Sequence, residues 1–152
     1  MKETTSQNGS GSGNEKEEQI QSSTAKRILI VDDDPDITLT FKSGLEAENE
    51  KQGNNIFFEV KTYTDPITAL SEFKPHFYDL LIVDVNMPDL DGFEFASKIL
   101  EQDVNVRVFF VTAKEINIQA LKEQRPSLSV GFFVKKPVSI EKLVSKVKAE
   151  LD

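Results

Sequence analysis

Five short apolar runs punctuate the chain, and each is followed by a stretch whose apolar residues recur every three or four positions. The runs at residues 28–31, 80–83, 106–111 and 132–134 are near-continuous, as strands covered on both faces should be. Residues 56–63 differ. There Glu59 and Lys61 interleave with Phe58, Val60 and Thr62, which predicts a strand with one partly wet face at a sheet edge.

Helical patterns with start signals lie between the runs. Asp34 precedes Pro35 and Asp65 precedes Pro66, each an N-cap acceptor followed by a proline whose missing N–H costs nothing in the first turn. Ile37, Phe41, Gly44 and Leu45 mark one face of the first helix. Gly44 costs about 1 kcal/mol there relative to Ala, so close packing is its expected use. Ile67, Leu70 and Phe73 mark the second helix, and Phe93, Ala96, Ile99 and Leu100 the third. The fourth, near residues 115–123, offers only Ile116, Ala120 and Leu121 and is the least well anchored. Ser139 caps the fifth, with a stripe of Ile140, Leu143, Val144 and Val147.

Five strands alternating with helices require crossover connections, and right-handed crossovers place helices on both faces of a parallel sheet. The expected fold is a doubly wound α/β domain over residues 26–152. In such folds ligands sit beyond the carboxyl ends of the strands. Residues 1–25 hold three of the seven glycines and, besides Met1 and Ile20, almost no large apolar side chain. They bury too little surface to offset ordering and are read as a disordered polar tail, or alternatively an engineered tag or linker. Residues 1–24 contain no apolar h-region, and no later stretch approaches the roughly 18 apolar residues of a membrane span. A cytoplasmic protein without membrane insertion is expected.

Composition narrows the chemistry. Lys and Arg number 18 against 26 Asp and Glu, a net charge of -8, which disfavours direct binding to nucleic acid. With no Cys and a single histidine, His76, any metal must be held by oxygen. Acids stand at the strand ends. Asp34 and Asp36 suit the positive end of a helix dipole, but Asp32 and Asp33 leave the strand itself and gain nothing obvious for stability. Asp84 ends the Leu80-Leu81-Ile82-Val83 strand. Pro88 to Gly92 read as an ordinary turn, which leaves Asp84 unexplained.

Adjacent parallel strands would gather Asp32, Asp33 and Asp84. Like charges about 4 Å apart repel by roughly 4 kcal/mol at an effective dielectric near 20, so the cluster must be partly protonated or share a cation. Oxygen ligands, and few of them, favour Mg²⁺ over calcium. The fourth strand ends in Thr112-Ala113 and the fifth in Lys135-Lys136-Pro137. A hydroxyl and an ammonium at neighbouring strand ends match the oxygens of a phosphoryl group.

Ile28-Leu29-Ile30-Val31-Asp32-Asp33-Asp34-Pro35, the stretch from Leu80 through Asp84-Val85-Asn86-Met87-Pro88 to Gly92, Val111-Thr112-Ala113 and Lys136-Pro137 together resemble the receiver domain of two-component response regulators. The resemblance implies a flavodoxin-like sheet of order 2-1-3-4-5 and a cis Lys136-Pro137 bond. It implies that Asp84 is the phosphoacceptor. Mg²⁺ would be held by the carboxylates of Asp33 and Asp84 and the carbonyl of Asn86, with Asp32 acting largely through water. Lys136, Thr112 and the small Ala113 would receive the phosphoryl oxygens. Thr112 and Phe133 would form the switch, and Asn86 and Lys114 would tune the lifetime of the phosphoryl group.

The partners so implied are a sensor histidine kinase or histidine phosphotransfer protein, and a downstream protein target. The protein would be a monomer or a phosphorylation-dependent dimer. It would not be an enzyme in the usual sense, although it would assist its own phosphorylation and autodephosphorylation at Asp84. Ending at Asp152, the chain leaves no room for an output domain, so a stand-alone receiver signalling through its fourth helix, fifth strand and fifth helix is expected. Three other readings compete. In a flavodoxin-type binder, Asp32 and Asp33 would repel the flavin phosphate. A haloacid-dehalogenase-like phosphatase generally wants an Asp where Asn86 stands, and a cap that is not present. A phosphorylation-independent interaction domain would not need Asp84, Thr112 and Lys136.

Overall fold

The computed structural model describes residues 25–53, 55–126 and 132–151. The predicted tail therefore lies outside the described residues except for Ala25, which already belongs to the first strand. The elements run β1 (Ala25–Val31), α1 (Pro35–Ala47), a 3₁₀ turn (Glu48–Glu50), β2 (Phe57–Tyr63), α2 (Pro66–Glu72), β3 (Leu80–Asp84), α3 (Gly92–Gln102), β4 (Arg107–Thr112), α4 (Ile118–Gln124), β5 (Phe132–Lys135) and α5 (Ile140–Leu151). All strand pairs are parallel, in the order β2-β1-β3-β4-β5. The doubly wound α/β prediction is met.

Alternating side chains of each strand feed two apolar layers. Ile28, Ile30, Leu80, Ile82, Phe109 and Val111 pack with Phe41 and Leu45 of α1 and Leu143, Val144 and Val147 of α5. Leu29, Val31, Leu81, Val83, Val108 and Phe110 pack on the opposite side with Ala69, Phe95, Ala96, Ile99 and Leu121 from α2, α3 and α4. Burial on both faces explains why the central strands are apolar without alternation. β2 lies at an edge, as its mixed pattern requires.

Caps fix the helix starts. Asp34 accepts from the Asp36 N–H at 2.9 Å, Asp65 from Ile67 at 3.1 Å, and Ser139 Oγ from Lys142 at 3.2 Å. Gly44 does serve close packing. A Cβ there would fall 2.0 Å from Ile140 Cγ1, so α1 and α5 could not approach as they do.

Three helix faces depart from the sequence reading. Ile67 is 50% exposed, because α2 buries Pro66 and Ala69 and its axis turns Ile67 outward. α3 buries Gly92, Phe95, Ala96 and Ile99, with Phe93 and Leu100 on its flank rather than at its centre. α4 starts at Ile118 because the Asn117 carboxamide accepts from Ala120 N–H at 3.0 Å, which leaves Glu115 and Ile116 in the preceding loop. Only Leu121 is buried in α4. Among the described residues no helix is long and apolar enough to cross a membrane.

Candidate functional site at the carboxyl ends of the strands

Register puts the candidate residues together. Val31 pairs with Val83, Asp84 with Val111 and Thr112 with Lys135, so the residues leaving β1, β3, β4 and β5 share one crevice. Asp32, Asp33 and Asp84 offer carboxylate oxygens that all lie within 4.8 Å of one another. Asp32 and Asp84 are buried and Asp33 is exposed. Lys136 Nζ reaches between the two buried acids, 3.1 Å from Asp32 Oδ2 and 3.4 Å from Asp84 Oδ1. The Lys136–Pro137 peptide is cis.

Two buried carboxylates and one ammonium leave negative charge in excess. Burial, reinforced by the neighbouring Asp32, pushes the Asp84 carboxyl up to about 6 even though Lys136 opposes it. Asp32 is also raised, chiefly by burial, while its Oδ1 accepts the Asp34 N–H at 2.9 Å. Burial pulls the Lys136 ammonium down, but Asp32 and Asp84 outweigh it and the net shift is upward. A hard cation with oxygen ligands would relieve the crowding of these carboxylates.

The remaining predicted residues surround this cluster. Thr112 is 2% exposed. Its hydroxyl accepts the Lys114 N–H at 3.1 Å and lies 3.5 Å from the donor Asn86 Nδ2. Asn86 and Ala113 are exposed, and Ala113 opens onto a cleft of about 470 Å³ that runs past Lys136 and Pro137 to Ile37 and Phe41. The Lys114 side chain is exposed, and its backbone N–H is the group bonded to Thr112. Phe133 packs against the apolar layer that α2, α3 and α4 cover. It is partly buried, stacked on Phe110 at 5.3 Å and edge-on to Phe93 at 6.2 Å.

One contributor is invisible as chemistry in the sequence. Gly92 N–H donates to the Val85 carbonyl at 2.9 Å, and a Cβ on Gly92 would sit 2.3 Å from the Asp84 carbonyl oxygen. The start of α3 can therefore close against the backbone of Asp84 and Val85 only because this position is glycine. Its signal was the Asp91-Gly92 dipeptide, which reads equally well as any turn. The loop is further pinned by buried Val85, Met87 and Leu90.

A response regulator receiver domain model matches residues 28–148, which takes in every residue of the crevice. The chain belongs to that family. Among relatives, it is 39% identical over 104 residues to the sensor protein EvgS of Escherichia coli K12, covering 68% of this chain and 8% of that one. To the heme response regulator HssR of Staphylococcus saprophyticus it is 34% identical over 123 residues, 81% of this chain and 50% of HssR. The chain thus spans half or less of the length of these relatives.

Solved receivers share its fold. A CheY-like receiver domain protein from Methanospirillum hungatei superposes with a TM-score of 0.67 at 26% identity, covering 84% of this chain and 94% of that one. Vibrio cholerae CheY4 superposes with a TM-score of 0.66 at 23% identity, over 82% and 98%. The protein is thus a receiver domain of two-component response regulators, a family that generally binds Mg²⁺ at an acidic pocket and interacts with sensor kinases. This receiver brings three carboxylates together where such a pocket would be.

Proposed function

We propose that this receiver accepts a phosphoryl group on Asp84 and releases it by hydrolysis, with Mg²⁺ held at the acidic crevice. The observation that carries the reading is the under-neutralised cluster: Asp32, Asp33 and Asp84 within 4.8 Å, with Lys136 the one ammonium paired to it among the described residues. The donor set is all oxygen, which fits Mg²⁺. The carboxylates of Asp33 and Asp84 and the carbonyl of Asn86 would hold the ion, with Asp32 acting through water. When bound, the ion neutralises charge on the transferring phosphoryl oxygens.

The residues divide the work. An Asp84 carboxylate oxygen attacks phosphorus in a phosphohistidine of a sensor kinase or phosphotransfer protein. A P–O bond forms as the P–N bond breaks, and the imidazole leaves with the N–P electron pair. Lys136, already 3.4 Å from Asp84 Oδ1, pairs with a phosphoryl oxygen. Phosphoryl transfer asks mainly for such positioning and charge neutralisation. The cleft beside Ala113, with Ile37 and Phe41 on its wall, supplies a surface for the donor.

The switch follows from the same contacts. Thr112 Oγ1 now rests on the Lys114 N–H; turning to donate to a phosphoryl oxygen breaks that bond and vacates space beside Phe133. Docking of a downstream protein target would read this change. Water attack on phosphorus then restores the Asp84 carboxylate and releases phosphate. Asn86 and Lys114 flank the route and set its rate.

Incubation with Mg²⁺ and acetyl phosphate, followed by intact-mass measurement, tests the reading. A phosphoryl adduct that needs both Mg²⁺ and Asp84 is expected. No adduct, or sustained turnover of unrelated phosphate esters as in a phosphatase, contradicts it.

A further inference from the structure

β2 closes one side of the sheet and pairs only with β1 among the described strands. The Asp32 N–H bonds to the Tyr63 carbonyl at 3.2 Å, which sets the phase: residues 57, 59, 61 and 63 direct their backbone groups at β1, and Phe58, Val60 and Thr62 direct theirs outward. Part of that outward row is occupied. Asn49, in the turn after α1, donates from Nδ2 to the Phe58 carbonyl at 2.9 Å and accepts the Phe58 N–H on Oδ1 at 2.7 Å. Its carboxamide stands in for one residue of a neighbouring strand. Lys42 Nζ donates to the Val60 carbonyl at 2.8 Å and is steadied by Glu46 at 3.0 Å.

The strand beneath this clasp is symmetric in character about Val60. Phe57-Phe58-Glu59-Val60-Lys61-Thr62-Tyr63 carries an aromatic at each end and opposite charges on either side of the centre. Antiparallel pairing of two copies about Val60 sets Glu59 against Lys61 and Phe57 against Tyr63, twice each by symmetry. Opposite charges and aromatic pairs directly across strands are the favourable combinations. Phe57 is 43% exposed.

We infer that the β2 edge is a self-complementary pairing surface for a second copy of this chain, held shut by Asn49 and Lys42. In the register centred on Val60, each Val60 N–H meets the other copy's Val60 carbonyl, and Phe58 exchanges both its bonds with Thr62. Each of these bonds needs a group that the clasp already holds: the Val60 carbonyl, the Phe58 carbonyl or the Phe58 N–H. Three contacts therefore block the whole ladder. Opening them exposes an edge that is otherwise ready to form a two-fold dimer with one continuous sheet, and the closed clasp is the protection that an exposed edge strand requires.

The test is self-association of the full chain carrying Lys42→Met and Asn49→Ala, measured by sedimentation over a range of concentrations. Association about tenfold tighter than wild type, or more, is expected, together with slowed amide exchange at Val60 and Thr62 as concentration rises. The chain has no Cys, so register can be read directly. Glu59→Cys and Lys61→Cys chains, both with the clasp opened, should form interchain disulfides in a mixture far faster than either does alone. Asn49→Asp keeps the acceptor for the Phe58 N–H but frees the Phe58 carbonyl. It should show intermediate association, and with Lys42→Met it decides the matter if the first variant fails to fold. Unchanged association and exchange across these variants, or disulfides formed equally in all samples, would overturn the inference.

Discussion

Two buried acids in this receiver stand in opposite electrostatic states. Glu48, at the end of α1, is 6% exposed and is clamped by Lys148 and Lys51, each at 2.6 Å. Those partners hold its carboxyl below the usual range. Asp84 is equally buried at 5%, yet it shares Lys136 with Asp32, and burial pushes it up to about 6. One acid is neutralised by its own chain and ties α1 to α5. The other is left short of positive charge at a crevice open to ligands. Burying an incompletely paired charge opposes folding, so the second arrangement makes sense where something from outside completes it.

Removing Lys136, the ammonium between the two buried acids, should have the largest effect. Lys136→Met should slow phosphoryl uptake from acetyl phosphate by about 10²–10³-fold, the usual loss for a single preorganised charge-stabilising donor, as followed by intact mass. Lys148→Met should leave uptake unchanged while lowering stability. Added Mg²⁺ comes next. At about a hundredfold excess over its dissociation constant it should stabilise the wild type by about 2.7 kcal/mol, read as a rise in melting temperature that Asp84→Asn largely loses.

Neutralising each acid should move stability in opposite directions. Without divalent ions at pH 7.5, Asp84→Asn should raise the melting temperature by about 2–6 °C, because it removes a buried charge and its repulsion with Asp32. Glu48→Gln should lower stability by about 1–2 kcal/mol. Thermal melts of the two variants check both signs.

The pH dependences sharpen the contrast. Asp84 binds its proton more tightly folded than unfolded, so its contribution favours folding most at low pH and is lost as pH rises from near 3.8 through about 6. Glu48 behaves conversely: its contribution is present above 4.5 and is lost as pH falls through its depressed folded value. In urea unfolding without divalent ions, the wild-type minus Asp84→Asn difference should become more unfavourable as pH rises through this window. The wild-type minus Glu48→Gln difference should change with the opposite sign. A few-fold change in dephosphorylation rate on Lys114→Ala, measured by loss of the adduct, is the smallest expected effect.

The sequence was most readable where one physical cause acts. Doubly covered strands must be apolar on both sides, so β1, β3 and β4 could be located from residues 28–31, 80–83 and 106–111. Acids that leave such strands have no structural reason to be there, which pointed to Asp32, Asp33 and Asp84. Less was legible where geometry decides between equal patterns. Ile67 carries the same hydrophobicity as Leu70, and only the orientation of a seven-residue helix turns it to solvent. Phe95 lies two residues from Phe93, about 200° round the helix, and the two are equally apolar, so pattern alone does not choose between them. Half of the Glu48 clamp, the pair with Lys51, is local, but its other half, Lys148, comes from a distant helix and has no local signature. Gly92 reads as a turn residue because its role is a missing methyl group beside the Asp84 carbonyl.

Trapping the phosphorylated protein with borohydride, which converts an acyl phosphate to an alcohol, and locating the modified residue by peptide sequencing in a mass spectrometer tests the acceptor assignment most directly. Modification at Asp84 and nowhere else in the crevice is expected. Modification at Asp32 or Asp33, or none in a preparation that carries the adduct, would contradict it.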